Sequence, residues 1–156
     1  MNKTNYFIFF LFFFLSLIIG LLIGYKIYSS KISTAPYLII NNQKILVEVA
    51  DTPDKITQGL SDRPSLADNR GMLFILDKSD FHTFWMNKMQ FSLDFVFIDN
   101  NQVVGLAENV PFPKLGEQPL TITAGAPFDK VLEINAGKIK EYGIKIGNNV
   151  FYTSGF

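Results

Sequence analysis

One apolar run, from Phe84 to Asp99, restricts the fold of this chain more than any other part of the sequence. It contains the only tryptophan, and from Phe91 onward its side chains alternate with the period of a β-strand. Both faces of this predicted strand are mostly apolar: one carries Phe91, Leu93, Phe95 and Phe97, and the other carries Ser92, Asp94, Val96 and Ile98. Such a strand is covered on both sides, so Asp94 must be paired, hydrogen-bonded or placed at a cavity.

Short strand patterns recur through the rest of the chain at a spacing of roughly ten residues. Turn signals such as Asn41-Asn42 and Asp99-Asn100-Asn101 separate them, and a turn is also predicted from Asp77 to Asp80. Only two short helices are predicted, at about 53–60 and 136–142. The pattern predicts a mainly β (α+β) fold, either a compact β-sandwich or a partly closed barrel.

The amino-terminal segment from Tyr6 to Tyr25 is apolar, uncharged and long enough to cross a bilayer as one helix. A cleaved signal peptide is the alternative, but its apolar core is usually only about 7–15 residues long. We therefore expect an uncleaved transmembrane anchor over residues 1–28, a polar linker over 29–36 and a β domain over 37–156. A short tail ahead of an anchor is typical of a single-pass protein of the cell membrane whose domain lies outside the cytoplasm.

Charge and composition exclude several classes of function. Beyond residue 31, 11 basic residues stand against 14 acidic ones, a net charge of −3, with no basic cluster. Nucleic-acid binding is not expected, because it needs many lysine and arginine contacts to phosphate. The chain has no cysteine and a single histidine, His82, so thiol chemistry, disulfides and multi-histidine metal sites are excluded. We expect no cofactor, and we expect His82, beside a predicted turn, to lie on the surface.

Four motifs follow one another along the chain: Gly59-Leu60-Ser61-Asp62-Arg63, Gly71-Met72-Leu73-Phe74, Phe84-Trp85-Met86-Asn87 with Leu93-Asp94, and Leu132-Glu133-Ile134-Asn135-Ala136-Gly137. In this order they resemble the bacterial and archaeal domain-of-unknown-function family 192 (DUF192) over about residues 44–152. The resemblance implies a compact, mainly β fold, often behind a signal or anchor, and no established reaction. Two positions depart from the family pattern: Ser61 replaces a methionine, and Asn87-Lys88-Met89 replaces Lys-Asn-Thr.

Five side chains are candidates for ligand contacts or a polar network: Arg63, Trp85, Asn87, Asp94 and Glu133. Asp94 and Glu133 both lie in apolar strands, and two carboxylates in one cleft would support acid–base catalysis. Alternatively, each acid is structural and accepts from backbone amides or pairs with Arg63. For Asp94 the expected donors are Arg63 or the backbone of residues 85–88. Trp85 is expected in the core, unless it stacks on a sugar ring.

Two classes of function follow, with a third behind them. The first is a membrane-tethered binding or accessory module of the cell envelope that acts on a glycan, a peptide or an envelope protein. The second, less favoured, is an envelope hydrolase that uses Asp94 and Glu133, and the third is a purely structural membrane protein. A deep cleft joining these acids and Arg63, with raised carboxylate pKa values, would favour the hydrolase. A shallow aromatic groove, with both acids saturated by backbone amides, would favour the binding module.

Overall fold

The computed structural model describes residues 12–23 and 35–155, and the chain divides into two compact units, Met1–Thr34 and Ala35–Phe156. Residues 12–23 form helix α1. Within the described residues, no helix is both long and apolar enough to cross a membrane. The predicted anchor, Tyr6 to Tyr25, extends past α1 at both ends into positions outside the described residues, so it stays a prediction.

Residues 35–155, here called the β domain, contain nine strands and two short helices. In chain order these are β1 (Tyr37–Ile40), β2 (Gln43–Ala50), α2 (Pro53–Gln58), β3 (Arg70–Asp80), β4 (Phe84–Trp85), β5 (Leu93–Asp99), β6 (Gln102–Val110), β7 (Thr121–Ile122), β8 (Phe128–Asn135), α3 (Lys138–Tyr142) and β9 (Val150–Thr153). Seven strands form one sheet in the order β6-β5-β8-β3-β2-β1-β9, and β4 pairs with β7 separately. Only β2 and β3, which are joined through α2, pair in parallel in this domain. The mainly β prediction is confirmed.

The large sheet curls until its two outermost strands meet at one end. The amide of Val103 on β6 donates to the carbonyl of Asn148 at 3.0 Å, and Gly147 donates back to Val103 at 2.8 Å. Val150, the first residue of β9, donates to Asn101 at 2.8 Å. Of the two predicted architectures, the structure therefore has the partly closed barrel.

Two sequence predictions of local structure need correction. The turn expected from Asp77 to Asp80 is wrong, because β3 continues as a strand to Asp80 and pairs there with Phe128. The predicted helix ends, in contrast, agree with α2 and α3 to within two residues. Thr52 begins α2 by accepting from the amide of Lys55 at 3.4 Å, with proline as the first helical residue.

Gly59 ends α2 in a conformation that only glycine adopts readily, with φ 49° and ψ −134°. Its amide donates to the carbonyl of Lys55 at 2.8 Å. A Cβ at this position would also lie 3.2 Å from the ring of Phe74. Glycine thus lets the chain leave the helix directly over the aromatic core, and this places residues 59–63 beside β4.

The core is divided between the two faces of the sheet, with β5 at the centre of both. On one face, Phe95 and Phe97 pack with Phe74 and Phe128 in an aromatic cluster. The other face carries an aliphatic cluster that includes Val96, Ile98 and the side chains of β1, β2 and β9. Every residue of β5 from Leu93 to Ile98 is buried, which confirms a strand covered on both sides.

Shortening a buried side chain of β5 should strongly lower the stability of the β domain. We expect Leu93→Ala or Phe95→Ala to lower the free energy of unfolding by about 2–5 kcal/mol, because each leaves a cavity in a close-packed core. Tyr152→Ala, at a half-buried position in β9, serves as the comparison and should cost less. Denaturant titration of the three variants measures this. Equal or reversed costs would contradict a central position for β5.

Candidate functional site

A cleft of about 270 Å³ lies between the end of α2, the chain that follows it, and strand β4. We call it the Trp85 cleft. Its aromatic lining comes from Phe74, Phe84 and Trp85, and its buried end is formed by Glu133. The volume suits a small ligand or a terminal group of a larger one.

Glu133 is the most unusual side chain of the Trp85 cleft. It lies on β8 opposite Met72 and Phe95, so it points to the aromatic face of the sheet. Only 5% of its surface is exposed, and no donor within the described residues hydrogen-bonds its carboxyl group. Burial raises the pKa of Glu133 to about 8, because an ionised carboxylate loses its hydration there. The carboxyl group is therefore mainly protonated at neutral pH.

Strand alternation in β4 places one aromatic side chain inside and the next outside. Phe84 packs edge-on against Phe74, with ring centroids 5.1 Å apart. Trp85, the next residue, is 55% exposed at the rim of the cleft, so the prediction of a core tryptophan is wrong. β4 is held by its pairing with β7, in which Trp85 lies opposite Thr121.

Two hydrogen bonds join the walls of the Trp85 cleft. The hydroxyl of Ser61, after α2, donates to the carbonyl of Asn87 at 2.9 Å, and the amide of Asp62 donates to the carbonyl of Lys88 at 3.0 Å. Asn87 thus contributes its backbone, and its side chain makes no hydrogen bond within the described residues. This contact joins the Gly59–Arg63 and Phe84–Asn87 motif segments.

Arg63 lies outside the Trp85 cleft. Its two terminal nitrogens donate to the two carboxylate oxygens of Glu48, each at 2.8 Å. The Arg63 hydrogen bonds lower the pKa of Glu48, although both side chains remain partly exposed. The expected pairing of Arg63 with Asp94 or Glu133 is therefore wrong. A neighbouring pocket of about 370 Å³ beside α2 is lined by both Arg63 and Glu48. The charges of these two side chains already compensate one another.

Asp94 is fully buried and has a structural role. One carboxylate oxygen accepts from the amide of Asn109 at 2.7 Å, and the other accepts from the amide of Ile139 at 2.8 Å. Asn109 belongs to a β-bulge, because two residues of β6 oppose Asp94 alone, and Ile139 is the second residue of α3. The expected donors, Arg63 and residues 85–88, are both wrong.

The two buried acids do not share a cleft. Asp94 lies opposite Ile134 on the aliphatic face of the sheet, whereas Glu133 lies opposite Phe95 on the aromatic face. Neighbouring residues of a strand point to opposite faces, so the sheet itself separates the two carboxyl groups. A catalytic pair of Asp94 and Glu133 is therefore not formed.

His82 is half-buried and lines the Trp85 cleft, where the sequence predicts a surface residue. Its ring Nε2 donates to the carbonyl of Lys78 at 3.1 Å. The imidazole also packs against the ring of Phe128, with ring centroids 5.4 Å apart. Neither His82 nor Phe84 is among the sequence candidates. Because β4 has only two residues, no alternation pattern in the sequence identifies Phe84 as the inward ring. Over residues 12–23 and 35–155, no group of three or more histidine, cysteine or acidic residues could hold a metal ion.

Comparison with known proteins places the chain in a family. The DUF192 model, described as "Uncharacterized ACR", matches residues 37–152. One similar solved structure is the crystal structure of a protein of unknown function from Novosphingobium aromaticivorans DSM 12444. Its sequence is 32% identical to this chain, and the two structures superpose with a TM-score of 0.65 over 74% of this chain and 83% of that one. Another is the crystal structure of a candidate transcription regulator from Sinorhizobium meliloti 1021. It has 30% sequence identity to this chain and a TM-score of 0.66, over 75% of this chain and 91% of that one. No curated protein matches. The chain belongs to the DUF192 family.

Proposed function

We propose that this protein is a small-ligand-binding module of the cell envelope, held at the membrane by residues 6–25, with its β domain outside the cytoplasm. The ligand occupies the Trp85 cleft. The observation that carries the proposal is the Glu133 side chain, which lines the cleft, is only 5% exposed and accepts no hydrogen bond from any residue that the structure describes.

A carboxyl group largely removed from water loses hydration when it ionises, unless a donor or a cation replaces that hydration. Within the described residues, the side-chain atoms that are fully enclosed without a partner are Oδ1 of Asp99 and Oδ1 of Asp129, whereas the Glu133 side chain keeps a small exposed area in the cleft. A partner that arrives from solvent can therefore reach it. Trp85 supports the same conclusion, because an exposed indole beside a cleft offers a flat apolar face to a ligand. An apolar cleft with one well-placed polar group is the usual composition of a small-molecule site.

Binding is favoured over hydrolysis by the position of Asp94. A two-carboxylate hydrolase needs both acids beside the same bond, and Asp94 lies on the other face of the sheet. The raised pKa of Glu133 suits a general acid, but Glu133 is the only acidic residue that lines the cleft. The regulator description of the Sinorhizobium protein does not support nucleic-acid binding here, because the residues beyond position 31 carry a net charge of −3.

The binding test uses the purified full chain and a panel of small envelope fragments. The panel contains N-acetylglucosamine, D-alanyl-D-alanine, methylammonium and choline. Fluorescence of the single tryptophan, Trp85, reports binding, and thermal melts give an independent readout. At least one fragment should shift both signals in the wild type and in Glu108→Gln, a control at an exposed glutamate, but not in Glu133→Leu. No response to any fragment, or an undiminished response in Glu133→Leu, would contradict the proposal.

The membrane attachment has its own test. Because residues 6–25 are uncharged and of spanning length, the full chain should remain in the membrane pellet after a carbonate wash. Residues 32–156 expressed alone should be soluble and monomeric in size-exclusion chromatography. Release of a mature domain trimmed near Ser30 would favour a cleaved signal peptide instead.

A further inference from the structure

We infer that the ligand of the Trp85 cleft is an organic ammonium ion, a primary or quaternary amine whose positive charge lies at Glu133 and against the aromatic walls. This inference rests on the proposed function and names the chemistry of its ligand. It follows from the one ionisable acid of the cleft and from the aromatic rings beside it.

The charge of the cleft favours a cation. Among the residues that the structure describes, Glu133 is the only acidic side chain in the lining, and no lysine or arginine lines the cleft. An anionic ligand would therefore find no lysine or arginine to balance its charge, whereas the charge of a cation can be balanced by ionisation of Glu133. A bare metal ion is equally unsuited, because one carboxyl group is far from the set of about six oxygen ligands that calcium or magnesium requires.

The aromatic walls favour an organic cation. A positive charge within about 6 Å of a ring centre is attracted to the ring face, and tryptophan gives the strongest attraction. Trp85 has no ring or cation partner within the described residues, so its indole is free to receive one. Phe84 and Phe74 supply further ring surface beside Glu133 in the same cleft. A carboxyl group with aromatic walls is suited to recognise an ammonium group.

Three of the five other polar side chains in the lining already hydrogen-bond the backbone. Gln58 donates to the carbonyl of Ser61 at 3.1 Å, and the Ser61 hydroxyl donates to the carbonyl of Asn87 at 2.9 Å. The ring of His82 donates to the carbonyl of Lys78 at 3.1 Å. The hydroxyls of Thr57 and Thr83, which also line the cleft, make no hydrogen bond within the described residues, so the preference for an ammonium ion over a sugar rests on Glu133 and the aromatic rings.

Binding of an ammonium ion should release a proton. Burial raises the pKa of Glu133 to about 8, so the empty cleft holds the neutral acid below that pH. The bound cation favours the carboxylate, and the displaced proton passes to solvent. Affinity for the cation should then rise about tenfold per pH unit between pH 6 and 7. Binding of an uncharged ligand needs no such ionisation.

The test compares ammonium ions with an uncharged molecule of similar shape. The full chain, in a polyoxyethylene ether detergent that carries neither an amine nor a sugar, is titrated with methylammonium, choline and 3,3-dimethyl-1-butanol, the uncharged counterpart of choline. Trp85 fluorescence is recorded in phosphate buffer at pH 6 and pH 7. At least one ammonium ion should bind about tenfold more tightly at pH 7, and dimethylbutanol should bind at least tenfold more weakly without pH dependence.

Two variants complete the design. Glu133→Gln should lose both the preference for the cation and its pH dependence, whereas Glu108→Gln should keep them. Equal binding of choline and dimethylbutanol, or pH-independent binding of both ammonium ions, would overturn the inference. A response to N-acetylglucosamine or D-alanyl-D-alanine that depends on Glu133, with none to either ammonium ion, would overturn the inference and leave the proposed function intact. No response to any probe would overturn both.

Discussion

Glu133→Gln should be more stable than the wild type at pH 8, by on the order of 4 kcal/mol. An unfolded glutamate has a pKa near its ordinary value of 4.5, whereas burial raises the pKa of Glu133 to about 8 in the folded protein. Between these values the unfolded chain is ionised and the folded chain still holds its proton. The wild type therefore loses stability as pH rises from 4.5 to 8. Glutamine cannot ionise, so the variant avoids this loss.

Urea titrations at pH 4.5, 6 and 8 measure this effect. The two proteins should be nearly equal at pH 4.5, and the difference should grow with pH until about pH 8. Glu108→Gln changes the same chemical group at an exposed position and should follow the wild type at each pH. A variant less stable than the wild type at pH 8 would mean that Glu133 has a stabilising donor when ionised. Stability gained by removing a functional carboxyl group would also fit a site that sacrifices stability for binding.

Substitution of Asp94 should have the opposite sign. Asp94→Asn should destabilise the β domain by about 1–3 kcal/mol, because its amide group can accept from only one of the two backbone donors. Asp94→Ala should cost more than Asp94→Asn, since it leaves both the buried amide of Ile139, at about 1–3 kcal/mol, and the part-buried amide of Asn109 without an acceptor. The bulge of β6 and the first turn of α3 would lose their common anchor.

Thermal melts and denaturant titrations of both Asp94 variants test this role. Asp77→Asn, at an exposed position in β3, should change the free energy of unfolding by less than about 0.5 kcal/mol. An unchanged or raised melting temperature in Asp94→Asn would contradict the structural role and would revive a functional one. The contrast between the two acids is itself informative, because both are buried and only Asp94 has protein donors.

The strand β5 could be predicted from the sequence, because two apolar faces and an enclosed acid are visible in the order of its residues. The donors of Asp94 could not, because they lie 15 and 45 residues away, on a bulge and at the start of a helix. Those positions become neighbours only through the pairing of β5 with β6 and β8. The single sequence contains no signal for that register.

The candidate site was only partly predictable for the same reason. Glu133 was identifiable as an acid in an apolar strand, but its face of the sheet depends on the register with β3 and β5. Trp85 was misplaced because β4 has only two residues, too few for a pattern to reveal which side is buried. The sequence does not identify Glu48 as the partner of Arg63. The two residues are brought together only in the folded domain, in which β2 pairs in parallel with β3.

The closure of the sheet has a consequence for association between molecules. Exposed strand edges present unpaired backbone groups, and these can recruit a strand from another chain and begin aggregation. At the end where β6 and β9 meet, the backbone groups of Val103, Gly147 and Val150 are already engaged within the chain. That end of the sheet therefore cannot act as a template, and copies of the β domain can be crowded together without joining edge to edge there.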